Sequence, residues 1–226
     1  MKNIAPEHFE KQPLRDKMAF RACRPCRVCH HWRVDFLRRQ RWTIAAFIAV
    51  FALTGGIELG MGRLPLGPDG KFGFWEGNIW SSENSQRVAD PYSFSHLVHG
   101  ILFYGVLWLV ARKLPVRHRL LMALAVEAGW ELLENSPLII NRYREATIAL
   151  GYAGDSVLNS LSDILMMTLG FLFASRTRPW MSVTAVILME AGCAWWVRDN
   201  LTLNIIMLIH PVEAIKAWQM AGQPHP

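Results

Sequence analysis

The sequence predicts an all-α, polytopic membrane bundle of about five transmembrane helices with a C-terminal re-entrant or interfacial segment. Three observations predict it. Hydrophobic residues make up 52% of the chain, with ten Trp. Five apolar stretches approach the ~20 residues that cross a bilayer core: 42–61, 94–111, 120–136, 156–174 and 180–197. Trp42, Trp108, Trp180, Trp195 and Trp196 fall near the ends of these stretches, as interfacial aromatic belts do.

Residues 1–41 carry eleven Lys or Arg against four acids and form a basic arm. The turn Arg112–Arg119 and the segment Arg176–Arg178 are also basic. With five spans all three lie on one side, and cationic segments stay cytoplasmic. The expectation is an N-terminus in the cytoplasm and a C-terminus on the outer side, the periplasm if the membrane is a bacterial inner membrane. The same charge pattern makes a nucleic-acid surface the weaker reading. In the arm, Cys23, Cys26, Cys29 and His30 include the CxxCH spacing of c-type haem attachment, a chemistry that does not belong on the cytoplasmic side. Zinc ligation by the thiols and His, or a disordered arm with unligated cysteines, are the other readings. Cys193, in the last span, reads as packing.

The first span, within 42–61, contains Glu58. A long outer loop follows, carrying Ser81–Gln86 (SSENSQ) with Asn84. The second span opens with His96 and His99, three residues apart and so on one helical face. The third carries Glu127, Glu131 and Glu134 at i, i+4 and i+7, again one stripe. Each carboxylate left in hydrocarbon costs roughly 2.5–3.5 kcal/mol, so these need partners inside the bundle. A second outer loop holds Arg142 and Arg144. The fourth span opens with Asp155, Asn159 and Asp163 at four-residue intervals. The fifth contains Glu190 and ends at Arg198 and Asp199. Residues 201–210 are apolar but too short to cross, and 212–221 read as an amphipathic interfacial helix. The domain plan is therefore an arm 1–41, a membrane domain 42–200 and an interfacial tail 201–226.

In this topology every intramembrane acid falls in the outer half of its span. Glu127 lies ~14 Å from Ser136 and Asp163 ~12 Å below Asp155, at 1.5 Å per residue. Intramembrane ionisable groups mark functional sites by default. Two chemistries suit these residues. His96 and His99 with a subset of the acids could ligate a divalent metal (zinc, iron or manganese), whose bound water attacks a lipid ester or phosphoester. Alternatively the carboxylates and imidazoles pass protons, in acid–base catalysis or in a transport relay. On the catalytic reading Glu127, Glu131, Glu134, Asp155 and Asp163 are the acid–base or ligand set. Asn84 and Asn159 contact substrate, and Arg142 and Arg198 hold an anionic head group. The bland alternative is a non-enzymatic membrane protein in which the same groups bridge helices as structural glue. The expected partners are membrane lipids, with room for a homo-oligomer or a membrane-protein partner, and no nucleic acid.

The stretches Ser81–Gln86 (SSENSQ), Ser95–Tyr104 (SHLVHGILFY), Trp130–Pro137 (WELLENSP), Asn141–Ala146 (NRYREA), Gly154–Asp163 (GDSVLNSLSD), Arg198–Asn204 (RDNLTLN) and His210–Trp218 (HPVEAIKAW) carry a resemblance. In this order they resemble an uncharacterised family of bacterial multi-pass inner-membrane proteins, a domain of unknown function. The likeness runs from about Gly62 to Trp218. A looser similarity is to VanZ-like proteins. The resemblance implies location and topology, and no reaction.

Overall fold

The computed structural model describes residues 27–223, with side chains from residue 41 onward. The reading of the cysteine segment Cys23–His31 lies outside the residues whose side chains are described. The chain divides into residues 1–40 and 41–226, and the helical bundle with its polar cluster belongs to the second unit.

Eight helices make up the described chain: α1 (Arg27–Gly60), α2 (Ser93–Val110), α3 (Val116–Glu134), α4 (Pro137–Ala146), α5 (Val157–Arg176), α6 (Pro179–Trp196), α7 (Leu201–Ile209) and α8 (Glu213–Met220). The described residues form no β-strand, only an isolated bridge between Trp75 and Ala89. Three helical segments are long and apolar enough to cross a membrane: Arg41–Gly60 in α1, α2 and α5. A fourth qualifies if α6 and α7, bent by 73°, count as one broken span. All five expected apolar stretches are helical. The difference from five simple spans lies in α3, which carries Arg117, Arg119, Glu127, Glu131 and Glu134. It holds its charges by burying Arg119, Glu127 and Glu131 against its neighbours. The expected second outer loop is also partly helical: Pro137 takes the first position of α4, where its missing N–H costs nothing.

The bundle is organised around α2 and α5, which run parallel. They touch backbone to backbone at two glycines. A Cβ on Gly100 would lie 1.9 Å from the Met167 carbonyl oxygen, and one on Gly170 would lie 2.0 Å from that of Leu97. Antiparallel α3 closes the other side through a core of Ala123, Leu124, Ala128, Ile164, Met167 and Phe171. α1 leans on this core with Phe47, Val50 and Phe51 and leaves Ile44, Ile48, Leu53 and Ile57 exposed. α6 buries only Cys193, consistent with a lipid-facing helix and with the packing role expected of that thiol.

The 61–92 loop is folded around Arg87. Its guanidinium lies 2.8 Å from Asp69 and 3.0 Å from Glu83 and donates to the Lys71 carbonyl at 2.5 Å. The SSENSQ stretch is stitched to the start of α5. The Ser156 N–H donates to the Ser85 carbonyl at 3.1 Å, the Ser156 hydroxyl to the Gln86 carbonyl at 3.2 Å, and the Gln86 amide to the Gly154 carbonyl at 2.9 Å. Gly154 is at φ +89, a region that suits glycine. Two distant sequence motifs thus become one wall of the bundle. The basic segments Arg112–Arg119 and Arg176–Arg178 join the helices at the opposite end.

Candidate functional site

α2 presents His96 and His99 toward α3, and both meet the same carboxylate. His96 Nδ1 is 2.6 Å from Glu127 Oε1; His99 Nδ1 is 3.1 Å from Oε1 and 3.2 Å from Oε2. With Glu127 ionised both Nδ1 atoms donate to it, and in the neutral form of each ring Nε2 is then the base. Helix geometry explains the convergence. Residues i and i+3 share a face, and the two imidazoles stand edge to face with centroids 5.2 Å apart. Glu127 is fully buried, so its charge is sustained by these two donors.

Around this unit, His96 Nδ1 is also 3.4 Å from Glu131 Oε1, and its Nε2 is 3.8 Å from Asp163 Oδ2. The Ser93 hydroxyl donates to Asp163 Oδ1 at 3.3 Å. The Asp90 N–H in turn donates to that hydroxyl at 3.1 Å, and Asp90 Oδ1 accepts the N–H of Tyr92 at 2.7 Å, securing the start of α2. Glu131 is fully buried and neither of its oxygens has a hydrogen-bond partner. A buried polar group without a partner lowers stability, so Glu131 is a group the fold carries at a cost.

A cavity of about 400 Å³ opens beside the unit. His96, His99, Glu127, Glu134, Asp155 and Asp163 line it, and Asn84 and Asn159 belong to the same wall. Its deeper rim is apolar. Leu102 on α2 and Val126 on α3 line the cavity and are 47% and 57% exposed, so the mouth faces sideways, toward the surroundings of the bundle.

The remaining expected residues fall in different places. Glu134 lies beside Tyr143 and Trp130. Asp155 accepts from the Tyr152 hydroxyl at 2.9 Å and from the Asn135 amide at 3.3 Å. Asn159 donates to the Arg87 carbonyl at 2.9 Å. Arg142 and Arg198 stand outside the cavity wall: Arg142 Nε donates to the Leu208 carbonyl at 2.7 Å, and Arg198 Nη1 to the Trp218 carbonyl at 3.0 Å. Both tie α7 and α8 to the bundle. Glu190 caps α7, accepting the N–H groups of Leu201 and Thr202 at 3.2 and 3.0 Å. Glu58 is buried near Ser160 and Arg63, outside the cavity wall. Sequence reasoning missed the wall's aromatic and hydroxyl groups, Trp80, Tyr92 and Tyr152, and the carboxylate of Asp199. Tyr92 and Asp199 are joined at 3.2 Å. Tyr152 follows α4 in an irregular segment, where helical periodicity offers no signal.

Asp155 precedes α5, and burial pushes its carboxyl up to about 7, with the Asp90 charge adding to the effect against hydrogen bonds from Tyr152 and Asn135. An unfolded Asp releases its proton near 3.8, whereas the folded one keeps it to about 7. Across that window the folded state binds more protons, so stability falls as pH rises. Melting curves between pH 5 and pH 8 should show a declining Tm for the wild type and a flatter profile for Asp155→Asn. An unchanged slope would mean that Asp155 is already ionised in the folded protein.

His96, His99 and Glu127 are also a potential metal set, each offering a ligand atom within 4.8 Å of the others. The 2.6 Å contact between His96 Nδ1 and Glu127 is a hydrogen-bond distance. Two ligands ~2.0–2.1 Å from a tetrahedral zinc would stand farther apart, at roughly 3.3 Å.

Residues 58–221 match the family described as "Protein of unknown function (DUF2585)". The chain is similar to a UPF0314 protein of Sphingopyxis alaskensis, 50% identical over 189 residues, covering 84% of this chain and 100% of that one. It is similar to a UPF0314 protein of Rhizobium etli, 51% identical over 183 residues, covering 81% and 94% of the two chains. A UPF0314 protein of Paracoccus denitrificans is 49% identical over 189 residues, covering 84% and 97%. No solved structure matches the chain.

Proposed function

The chain belongs to the DUF2585 family of proteins of unknown function, and from the site geometry we propose that it carries out acid–base chemistry on a lipid or lipid-linked substrate. The observation that carries this reading is a pair of imidazoles sharing one buried carboxylate on the wall of a cavity with an apolar lateral mouth. Glu127 fixes the tautomer of both rings, and His96 Nε2 takes a proton from a hydroxyl or a water and returns it to the leaving group. Asp163, 3.8 Å from that nitrogen, steadies the imidazolium that forms. Positioned acid–base groups of this kind contribute ~10²–10⁴-fold in rate. The protein sits in the bacterial inner membrane with its basic segments in the cytoplasm, so the cavity opens on the periplasmic side. Asn84 and Asn159 contact the polar part of the substrate.

A second reading is favoured by the clustering of the three ligand atoms: a zinc, iron or manganese ion held by His96, His99 and Glu127, activating water. Two experiments test the proposal. Lipid extracts of cells lacking the protein should differ by at least one lipid or lipid-linked species from extracts of cells restored with the wild type; identical extracts would overturn it. Metal analysis of protein truncated before Gln40 should find no stoichiometric metal. Metal bound by the wild type and lost in the His96→Ala/His99→Ala variant would transfer the chemistry to the second reading.

A further inference from the structure

Charge on the cavity wall selects among lipid head groups. Glu127, Glu134, Asp155, Asp163 and Asp199 are on that wall against His96 and His99, and among the described residues no Lys or Arg joins them. The arginines near this end are held by protein acceptors, although the Arg63 Nε is buried without one. Arg63 donates to the Ala153 carbonyl, Arg144 to that of Tyr152 and Arg142 to that of Leu208, while Arg87 is held by Asp69 and Glu83. A phosphate in this cavity would face carboxylates without a guanidinium to clamp it, the reverse of what anion recognition needs. Trp80, Trp130, Tyr92, Tyr143 and Tyr152 complete the polar end. The Tyr143 and Tyr152 rings meet edge to face with centroids 5.2 Å apart, and Tyr152 donates to Asp155. Aromatic rings and carboxylates sharing one wall are the chemistry that attracts an ammonium ion. One further atom points the same way: Asn84 Oδ1, on a cavity-lining residue, is buried without a hydrogen-bond partner, an oxygen dipole open to a cation.

We propose that the cavity receives the cationic ammonium head group of a lipid-like amphiphile, its head among Asn84, Glu134, Tyr143, Tyr152 and Asp155 and its tail leaving between Leu102 and Val126. This rests on the reading of the cavity as a lipid substrate site and assigns the class of substrate. A volume of about 400 Å³ falls within the range of small-molecule sites and holds a head group with the first part of a chain. Leu102 is six residues beyond His96, ~9 Å along α2 at 1.5 Å per residue, so polar end and apolar mouth are spaced as the two parts of an amphiphile are.

The test is equilibrium binding of radiolabelled octyltrimethylammonium to the full chain in nanodiscs, with empty nanodiscs as the blank. Competitors are octylammonium, octyl phosphate, octyl glucoside and tetramethylammonium. The expected result is saturable binding displaced by octylammonium. Octyl phosphate and octyl glucoside should compete at least about tenfold more weakly, the scale of a desolvated cation–π contact. Tetramethylammonium competing as weakly would assign the site to a lipid, whereas equal competition would mean a free cation and would overturn the tail assignment. Glu134→Gln and the milder Asn84→Ala should each weaken binding, with melting curves confirming that the variants are folded. Preferential binding of the phosphate or the glucoside, or no saturable binding by folded protein, would overturn the proposal. A lipid difference between deleted and restored cells with no ammonium binding would reject the substrate class alone; ammonium binding with no lipid difference would reject the reaction alone.

Discussion

Alanine at Gly100 or Gly170 will force α2 away from α5 and leave little folded protein in the membrane. At both positions the new methyl would meet a backbone carbonyl at about half a normal contact distance, 1.9 and 2.0 Å, and no side-chain rotation can make room. Ordinary overpacking costs ~1–3 kcal/mol; a backbone obstruction at the central crossing exceeds that, because Met167 and Phe171, on the far side of the contact, are fully buried core residues. The same crossing brings His96 within 3.8 Å of Asp163, so surviving protein will also lose the alignment of the site. Gly105→Ala and Gly129→Ala are the matched controls. Neither Cβ would have a neighbour within 4 Å, and Ala favours a helix by ~1 kcal/mol over Gly. Purified yield and Tm of the four variants check the prediction; equal loss in all four would remove the crossing as the cause.

Glu127→Gln will reduce the proposed lipid conversion by ~10²–10⁴-fold, the usual contribution of positioned acid–base groups. The amide keeps the shape but accepts on only one side. With its oxygen at the Oε1 position both Nδ1 contacts remain, but the neutral amide no longer stabilises an imidazolium on His96, and its N–H₂ group meets the His99 N–H. Some stability is lost too, because hydrogen bonds to a charged group are worth ~1.5–3 kcal/mol. Glu190→Gln separates the two effects. Glu190 also accepts two hydrogen bonds, but they cap α7, and its carboxyl is not on the cavity wall. It should lower Tm and leave conversion per folded molecule unchanged. Equal conversion by the Glu127 and Glu190 variants would make Glu127 another structural acceptor.

The helical periodicities of 127–131–134, 96–99 and 155–159–163 were enough to bring most of the polar cluster together, because a span that buries one stripe must turn its charges inward. Periodicity could not separate the roles within the cluster. Glu190 shared the outer-half depth of the other acids and is a helix cap, since its partners are the backbone of Leu201 and Thr202, eleven and twelve residues away. Arg142 and Arg198 looked like head-group clamps, yet they bind carbonyls 66 and 20 residues distant. These are tertiary contacts with no local signature. The aromatic wall was hidden for a related reason: Trp80 and Tyr152 sit in irregular segments, where side-chain direction follows from loop folding. α3 was legible as a helix, but its embedding depends on partners for Arg119, Glu127 and Glu131 that only the packed bundle supplies.

Catalytic use and structural glue make opposite demands on Glu131, which is fully buried, has no hydrogen-bond partner and stands 3.4 Å from His96 Nδ1. A group retained for chemistry can be costly to the fold, whereas glue must stabilise it. The most direct measurement is therefore Tm and lipid conversion on the same preparation of Glu131→Gln. The acid–base account, in which Glu131 beside His96 Nδ1 adds to the negative charge that steadies the imidazolium, predicts a Tm at or above the wild type and conversion reduced by about tenfold or more. A lower Tm with conversion intact would contradict it and leave the buried carboxylates as the bridges that hold the bundle together.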